Sequence, residues 1–322
     1  MIAECVLRVD KARGPTSHDV VDDVRRLFRT RRVGHAGTLD PEATGLLLVV
    51  AGGRATKIAP FLADLDKVYT ADVHLGIATD TGDVEGAVIA EQPVPADVAA
   101  RIPAILPRFV GAISQVPPMA SAIKVGGEPL HRLRRAGLVV ERPARTVVVE
   151  RITVLETMLD APRPLLRLEI ACGKGTYIRT LAADLAQALG TCGHLGALRR
   201  DRIGSFTLAG AVPSGSLRGQ DPNEVLATAG MTLREALRHL PAVELGADAA
   251  YAVRHGVPPR FRDLAALERP LVPGELARLE GPGGELVAVV AASGPLAGQS
   301  DGAPEEAAPL RYRRVLVGRE RD

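Results

Sequence analysis

Between Lys67 and Gly76 the chain reads KVYTADVHLG, and its apolar side chains fall on every second position. Tyr69, Ala71, Val73 and Leu75 share one face, and Thr70, Asp72 and His74 share the other. That period of two predicts a strand with one buried face. Upstream, VLRVD reads as a short strand ending in a Gly-Pro break. Val20, Val21, Val24, Leu27 and Phe28 then recur at helical spacing behind a capping-box-like start, Thr16 and Asp19. Leu46 to Ala51 is uninterruptedly apolar and reads as a buried strand, broken by Gly52 and Gly53 before a helix over 54–64. TDTGDVEG (79–86) reads as an acidic surface loop. A helical pattern over 96–109 contains Pro103, which predicts a kink or break. MASAIKV reads as a short strand and GEPLHRLRRAG as a basic helix. LLRLEIACG alternates as a strand and hands over to a helix over 176–189, closed by Gly190. HLGALRRDRIGSF is a further strand with a basic end.

After about residue 240 the pattern changes. AVEL, GELARLEG, GELVAVVAAS and RYRRVLVG are strand-like and separated by Gly/Pro turns, whereas 295–310 has the composition of a flexible loop. The expected division is a large domain, 1–240, and a small β-rich one, 241–322, which suits a length of 322 residues.

Composition refines this outline in a few places. There is no Trp and aromatics make up 3%, so the core must be built from Leu, Val, Ile and Ala. A net charge of +2 argues against bulk coating of a polyanion, but local patches can still bind phosphates. The 40 basic residues are 35 Arg and five Lys, a ratio that codon bias accounts for. Five arginines fall between Arg25 and Arg32, leading into a glycine-punctuated loop. Cys5, Cys172 and Cys192 are too far apart for a zinc knuckle or a disulfide framework, which fits a reducing cytoplasm. Charges at Glu4, Arg8 and Asp10 do not suit a signal peptide, and no apolar run is long enough to span a membrane.

Candidate chemistry concentrates in two stretches. In GHAGTLDPEATG, Asp40 precedes a proline, and Gly34, Gly37 and Gly45 surround it. Asp-Pro is ordinary turn chemistry, yet such a loop against a buried strand can also hold one carboxylate rigidly. Glu42 is the nearest second acid and nothing in the sequence orients it, so a paired-carboxylate hydrolase is disfavoured. A lone aspartate suits nucleophilic or electrostatic work. In CGKGTYIRT, a Gly-Lys-Gly turn opens a helix in the manner of a phosphate cradle, but Leu168 stands where a Walker A loop needs glycine. Arg179, in the first helical turn, opposes the helix dipole and calls for a compensating anion. His35, His74, His131 and His194 lack metal-ligand spacing, and no serine sits in a nucleophile elbow.

Taken in order, GHAGTLDPEATGLLLV with GRATK, KVYTADVHLG, QVPPMASAIKVGGEPLHRLRRAG, CGKGTYIRTLAADLAQALG and HLGALRRDRIGSF resemble the TruB-type tRNA pseudouridine synthases over residues 8 to about 206. The C-terminal region resembles, less distinctively, the small PUA-like domain of bacterial members. The resemblance implies an α+β fold: a pseudouridine-synthase-like mixed sheet with flanking helices and a central cleft, followed by the β-rich PUA-like domain. It implies isomerisation of uridine 55 in the tRNA T loop, without cofactor or metal, by a cytoplasmic and monomeric enzyme whose partner is the T-stem loop of tRNA. It makes Asp40 the catalytic aspartate, Tyr69 the base-stacking and proton-abstracting group, and Arg179 the partner of Asp40, whose carboxyl that cation should hold down. On the substrate side it places His35, which helps hold the target nucleotide out of the loop, Tyr177 and Leu198 as pocket lining, and Lys11 as a structural lysine near the site. Ala120 and Ala12 depart from the family's usual Tyr and Pro. A guide-RNA-dependent synthase and a tRNA-folding helper without chemistry are the rival readings. The first shares the Asp loop but is disfavoured by the absence of a long basic tail, the second by the intact Asp40, Tyr69 and Arg179 set.

Overall fold

A computed structural model describes residues 4–119, 124–125, 127–129, 132, 138, 140–297 and 308–316. Most of the basic helix expected at 127–137, His131 included, the segment around Ala120 and most of the loop at 295–310 fall outside these residues; at the start of that expected helix Glu128–Pro129 form a short strand instead. The first strands and helices are β1 (Cys5–Lys11), α1 (Ser17–Leu27), β2 (Val33–His35), β3 (Thr44–Ala51), α2 (Ala55–Ala63), β4 (Lys67–Leu75), β5 (Ile77–Thr79), β6 (Val88–Glu91), α3 (Val98–Ile105) and β7 (Gly111–Gln115). After two short strands, β8 (Lys124–Val125) and β9 (Glu128–Pro129), come β10 (Arg145–Met158), β11 (Leu165–Cys172), α4 (Ile178–Ala188), β12 (Gly193–Ile203), β13 (Phe206–Thr207), β14 (Val212–Pro213), α5 (Pro222–Ala229), β15 (Gly230–Met231) and α6 (Leu233–Ala236).

The main sheet runs β14-β1-β3-β12-β4-β11-β10-β7, with β2, β13 and β15 paired at its sides. It is mixed: β12 lies parallel to β3 and antiparallel to β4. The alternation read in KVYTADVHLG is realised in β4, whose Tyr69, Ala71, Val73 and Leu75 are buried on one face. They join Leu181, Ala182 and Leu185 of α4 in one core, while α1 covers β1 and β3 on another. Thr16 and Asp19 form the capping box of α1, a device whose cap side chain contributes about 1 kcal/mol. In α3 the chain stays helical through Pro103 and gives way to a 3-10 turn at Leu106–Phe109, so the break comes later than Pro103 suggested.

A second sheet, of order β17-β16-β18-β19-β20, follows: β16 (Ala242–Leu245), β17 (Leu264–Leu267), β18 (Leu276–Gly281), β19 (Glu285–Ala292) and β20 (Leu310–Val315). It packs on a helix, α7 (Ala247–Arg254), which the turn-punctuated pattern did not announce. Leu286, Val289 and Leu316 meet Val6, Leu46, Leu48 and Leu240 in a shared core. The β-rich C-terminal sheet and the mixed main sheet are the α+β architecture expected. No helix among the described residues is long and apolar enough to cross a membrane.

Candidate active site

A cleft of about 490 Å³ opens where the loop before β3 meets β4, β12 and the start of α4. Asp40, Tyr69, Tyr177, Arg179 and Leu198, separated by up to 158 positions in sequence, all line it, as do Lys67 and Arg200.

Asp40 is held by its neighbours on both sides. The Lys11 ammonium is fully buried and donates to the carbonyls of Ala12, Pro41 and Ala43, at 3.0, 3.0 and 2.6 Å. All three of its donors are thereby used, and Lys11 braces the loop from within. Burial pushes Lys11 down to about 8, against the pull of Asp40 and Glu42. Ser17 exchanges hydrogen bonds with the Leu39 backbone, tying the loop to α1. Glu42 is ion-paired to Arg13.

The anion that Arg179 requires is Asp40: Nε of Arg179 lies 3.1 Å from Oδ2, and the carboxylate side chain keeps 41% exposure toward the cleft. There is a second anion that the sequence reading missed. Asp83, in the stretch read as an acidic surface loop, is 8% exposed and places Oδ2 3.3 Å from Nη1 of Arg179. Thr81 donates to its other oxygen at 2.5 Å, and the Glu85 amide donates there too. Arg179 also donates to the Thr81 carbonyl. The loop is therefore buried where it meets α4, and one guanidinium is shared by two carboxylates. Only Asp40 has an open face; Asp83 is enclosed by its own partners.

This sharing changes the expected electrostatics. Burial pushes the Asp40 carboxyl above the ordinary aspartate value; Arg179 acts in the opposite sense, and Asp83 adds to the rise. The net direction is upward, where the ion pair alone had suggested a depressed value.

Tyr69 is buried on the wall facing the loop, and burial raises its hydroxyl, with Arg200 acting against the rise. Tyr177 caps α4, and its backbone exchanges hydrogen bonds with the Gln115 side chain. His35 stands on β2 opposite Val49 and does not line the cleft with the others; burial lowers its imidazole, and its Nδ1 has no hydrogen-bond partner among the described residues. Lys174 of the supposed phosphate cradle is ion-paired to Asp64 at 2.9 Å. No group of three or more His, Cys, Asp or Glu side chains among the described residues could hold a metal ion.

Residues 25–178 match the TruB family pseudouridylate synthase, N-terminal domain. The tRNA pseudouridine synthase B of Ralstonia nicotianae is 47% identical over 251 residues, 78% of this chain and 79% of that protein. That of Cupriavidus metallidurans is 43% identical over 286 residues, 88% and 89% of the two chains. Among solved structures, a chain of a Cbf5-Nop10-Gar1 complex superposes with a TM-score of 0.75 at 28% identity, covering 99% of this chain and 87% of that one.

Proposed function

The chain belongs to the TruB family of pseudouridylate synthases, and from that premise we propose that it converts uridine 55 in the T loop of tRNA to pseudouridine, with Asp40 as the nucleophile. One observation carries the assignment of Asp40: it is the carboxylate that is both ion-paired to a buried arginine and open to the cleft. The pairing aims it, and the open face lets it reach a ligand. The target base must leave the folded loop, at a cost of a few kcal/mol. A cleft of about 490 Å³ with the aromatic ring of Tyr69 on its wall suits a single flipped base. Tyr177 and Leu198 close its apolar sides, which keeps water from a reactive intermediate.

The isomerisation is balanced within the substrate. The N1–C1′ bond breaks, the uracil turns, C5 bonds to C1′, and the proton lost from C5 is matched by one gained at N1. Asp40 supplies the anionic oxygen during bond cleavage, Arg179 holds it, and Tyr69 accepts the C5 proton. No cofactor has a part in this scheme. Relatives at 43–47% identity that are named for tRNA favour a tRNA substrate over a guide-dependent one, since the neighbour solved with Nop10 and Gar1 is 28% identical. The protein works as a cytoplasmic monomer. Residues 1–240 form the catalytic domain, and 241–322 form a PUA-like RNA-binding domain. Mapping pseudouridine in unmodified tRNA after incubation with the protein tests the reading. A single new pseudouridine at position 55 is expected; none in the T loop would refute it.

A further inference from the structure

Arg200 is a cation in an unusual position. It is 1% exposed, among the largest fully buried side chains of the protein, and it stands on the cleft wall. A buried charge is ordinarily paired with an opposite one, yet among the described residues no carboxylate lies within ion-pair distance of Arg200. Its partners are backbone carbonyls. Nε donates to Leu46 at 2.7 Å, Nη1 to Thr38 at 3.3 Å and Nη2 to Gly37 at 3.0 Å. These carbonyls flank Asp40 on both sides, so one planar group closes the loop from Gly37 to Leu46. The approach is possible because Gly45 lies against the Arg200 backbone, where a Cβ would come within 2.3 Å of its carbonyl oxygen. Across the sheet, Arg200 of β12 stands directly opposite Tyr69 of β4.

We infer that Arg200 is a positioning residue with two functions: it fixes the loop that aims Asp40, and it holds the Tyr69 oxygen in a positive field so that this oxygen can carry negative charge. The inference rests on the pseudouridine-synthase reading. When C5 has bonded to C1′, it still holds its proton. An ionised Tyr69 takes that proton and becomes a neutral phenol, while the C–H electron pair restores the ring double bond. For this the phenolic oxygen must first be anionic, and burial opposes that. The charged or titratable groups around it are Arg200 from β12, Lys67 from its own strand, Cys172 from β11, Asp40 from the loop and Arg179 from α4. Lys67 donates to the Ala63 carbonyl, and Arg179 is taken by two carboxylates. Among the described residues neither Lys67 nor Arg200 has a carboxylate within ion-pair distance, and Arg200 is the one that stands directly opposite the tyrosine across the sheet.

Arg200→Lys keeps the charge and loses the three-pronged grip. Its single-turnover rate on saturating tRNA is expected to fall by about 10²-fold, the scale of an ångström's misplacement, with tRNA affinity within about threefold of wild type. Arg200→Gln removes the charge as well, and the rise of its rate with pH should move upward by about one unit. A wild-type rate in Arg200→Lys overturns the inference, as does a rate loss matched by an equal loss of affinity. A profile for Arg200→Gln with the wild-type midpoint would leave Arg200 a structural residue alone. Should Arg200→Gln not fold, the split between rate and affinity in Arg200→Lys decides. Wild-type protein is the control: if it makes no pseudouridine, the activity reading fails, whereas an active wild type beside an unaffected Arg200→Lys refutes only the role of Arg200.

Discussion

Asp40 and Asp83 draw on one guanidinium with opposite consequences. Arg179 favours the ionised form of Asp40, while the neighbouring Asp83 charge and burial disfavour it, and the net direction is upward. A carboxylate nucleophile works only when ionised, above its own titration point. Acidification should therefore abolish single-turnover activity at a pH higher than the ordinary aspartate value of 3.8 would give. An acid limb at or below that value would contradict the arrangement. Asp83→Asn removes a like charge from the neighbourhood of Asp40, so it should shift the acid limb downward. It also frees one arm of Arg179, so the maximal rate should fall by at least about tenfold, or ~1.4 kcal/mol of barrier. An upward shift would mean that Asp83 acts on Asp40 only by tightening Arg179. Asp83 was not legible in the sequence, because TDTGDVEG has the composition of any solvated turn. Asp83 is buried against partners far along the chain, Arg179, 96 positions away, and Leu195. The dipole argument at Arg179 called for one anion and had no means of counting two.

At the scale of elements, the site is held where β3 and β12 run side by side in parallel. Gly45 has φ +101°, and a Cβ there would lie 2.3 Å from the Arg200 carbonyl oxygen. Gly45→Ala would incur about 1–2 kcal/mol for the left-handed backbone and about 1–3 kcal/mol for overpacking. Denaturant unfolding should show a loss in that range, and activity should fall with it because β3 carries the end of the Asp40 loop. An alanine variant of wild-type stability and rate would show that the strands can separate freely. Elements with an internal period were legible: β4 by alternation, α1 and α4 by helical spacing and their ends, β3 by its apolar run. What escaped depends on distant partners. Arg200 looks like an ordinary surface cation in sequence, and only the fold turns it inward onto carbonyls. Helix α7 is eight residues long, and its cover, β18 and β19, is supplied later in the chain. The cleft residues Asp40, Tyr69 and Arg179 were legible through their motifs and do meet, whereas His35, on β2, is not among the residues lining the cleft.

The whole molecule carries a net charge of only +2, so affinity for a polyanion must come from local patches of its 35 arginines. Two arginines of the run 25–32 are internally engaged, Arg25 with Asp22 and Arg26 with Asp23. Binding of tRNA should weaken steeply with salt, and each phosphate contact removed by substitution should flatten the log–log slope by roughly 0.7–0.9. A slope near zero would mean that shape and base contacts alone hold the RNA. The shared core of Leu286, Val289 and Leu316 with Leu46 and Leu48 links the C-terminal sheet to the strand behind the Asp40 loop, so integrity of the site and of the molecule are joined. The most direct test of the central claim is Asp40→Asn, measured for pseudouridine formation and for tRNA binding in the same preparation. The expected result is no turnover, with affinity within about tenfold of wild type, or ~1.4 kcal/mol, because in the proposed reaction Asp40 acts on the target uridine and not on phosphates. Turnover above a few per cent of wild type, or loss of binding by a folded variant, would contradict it.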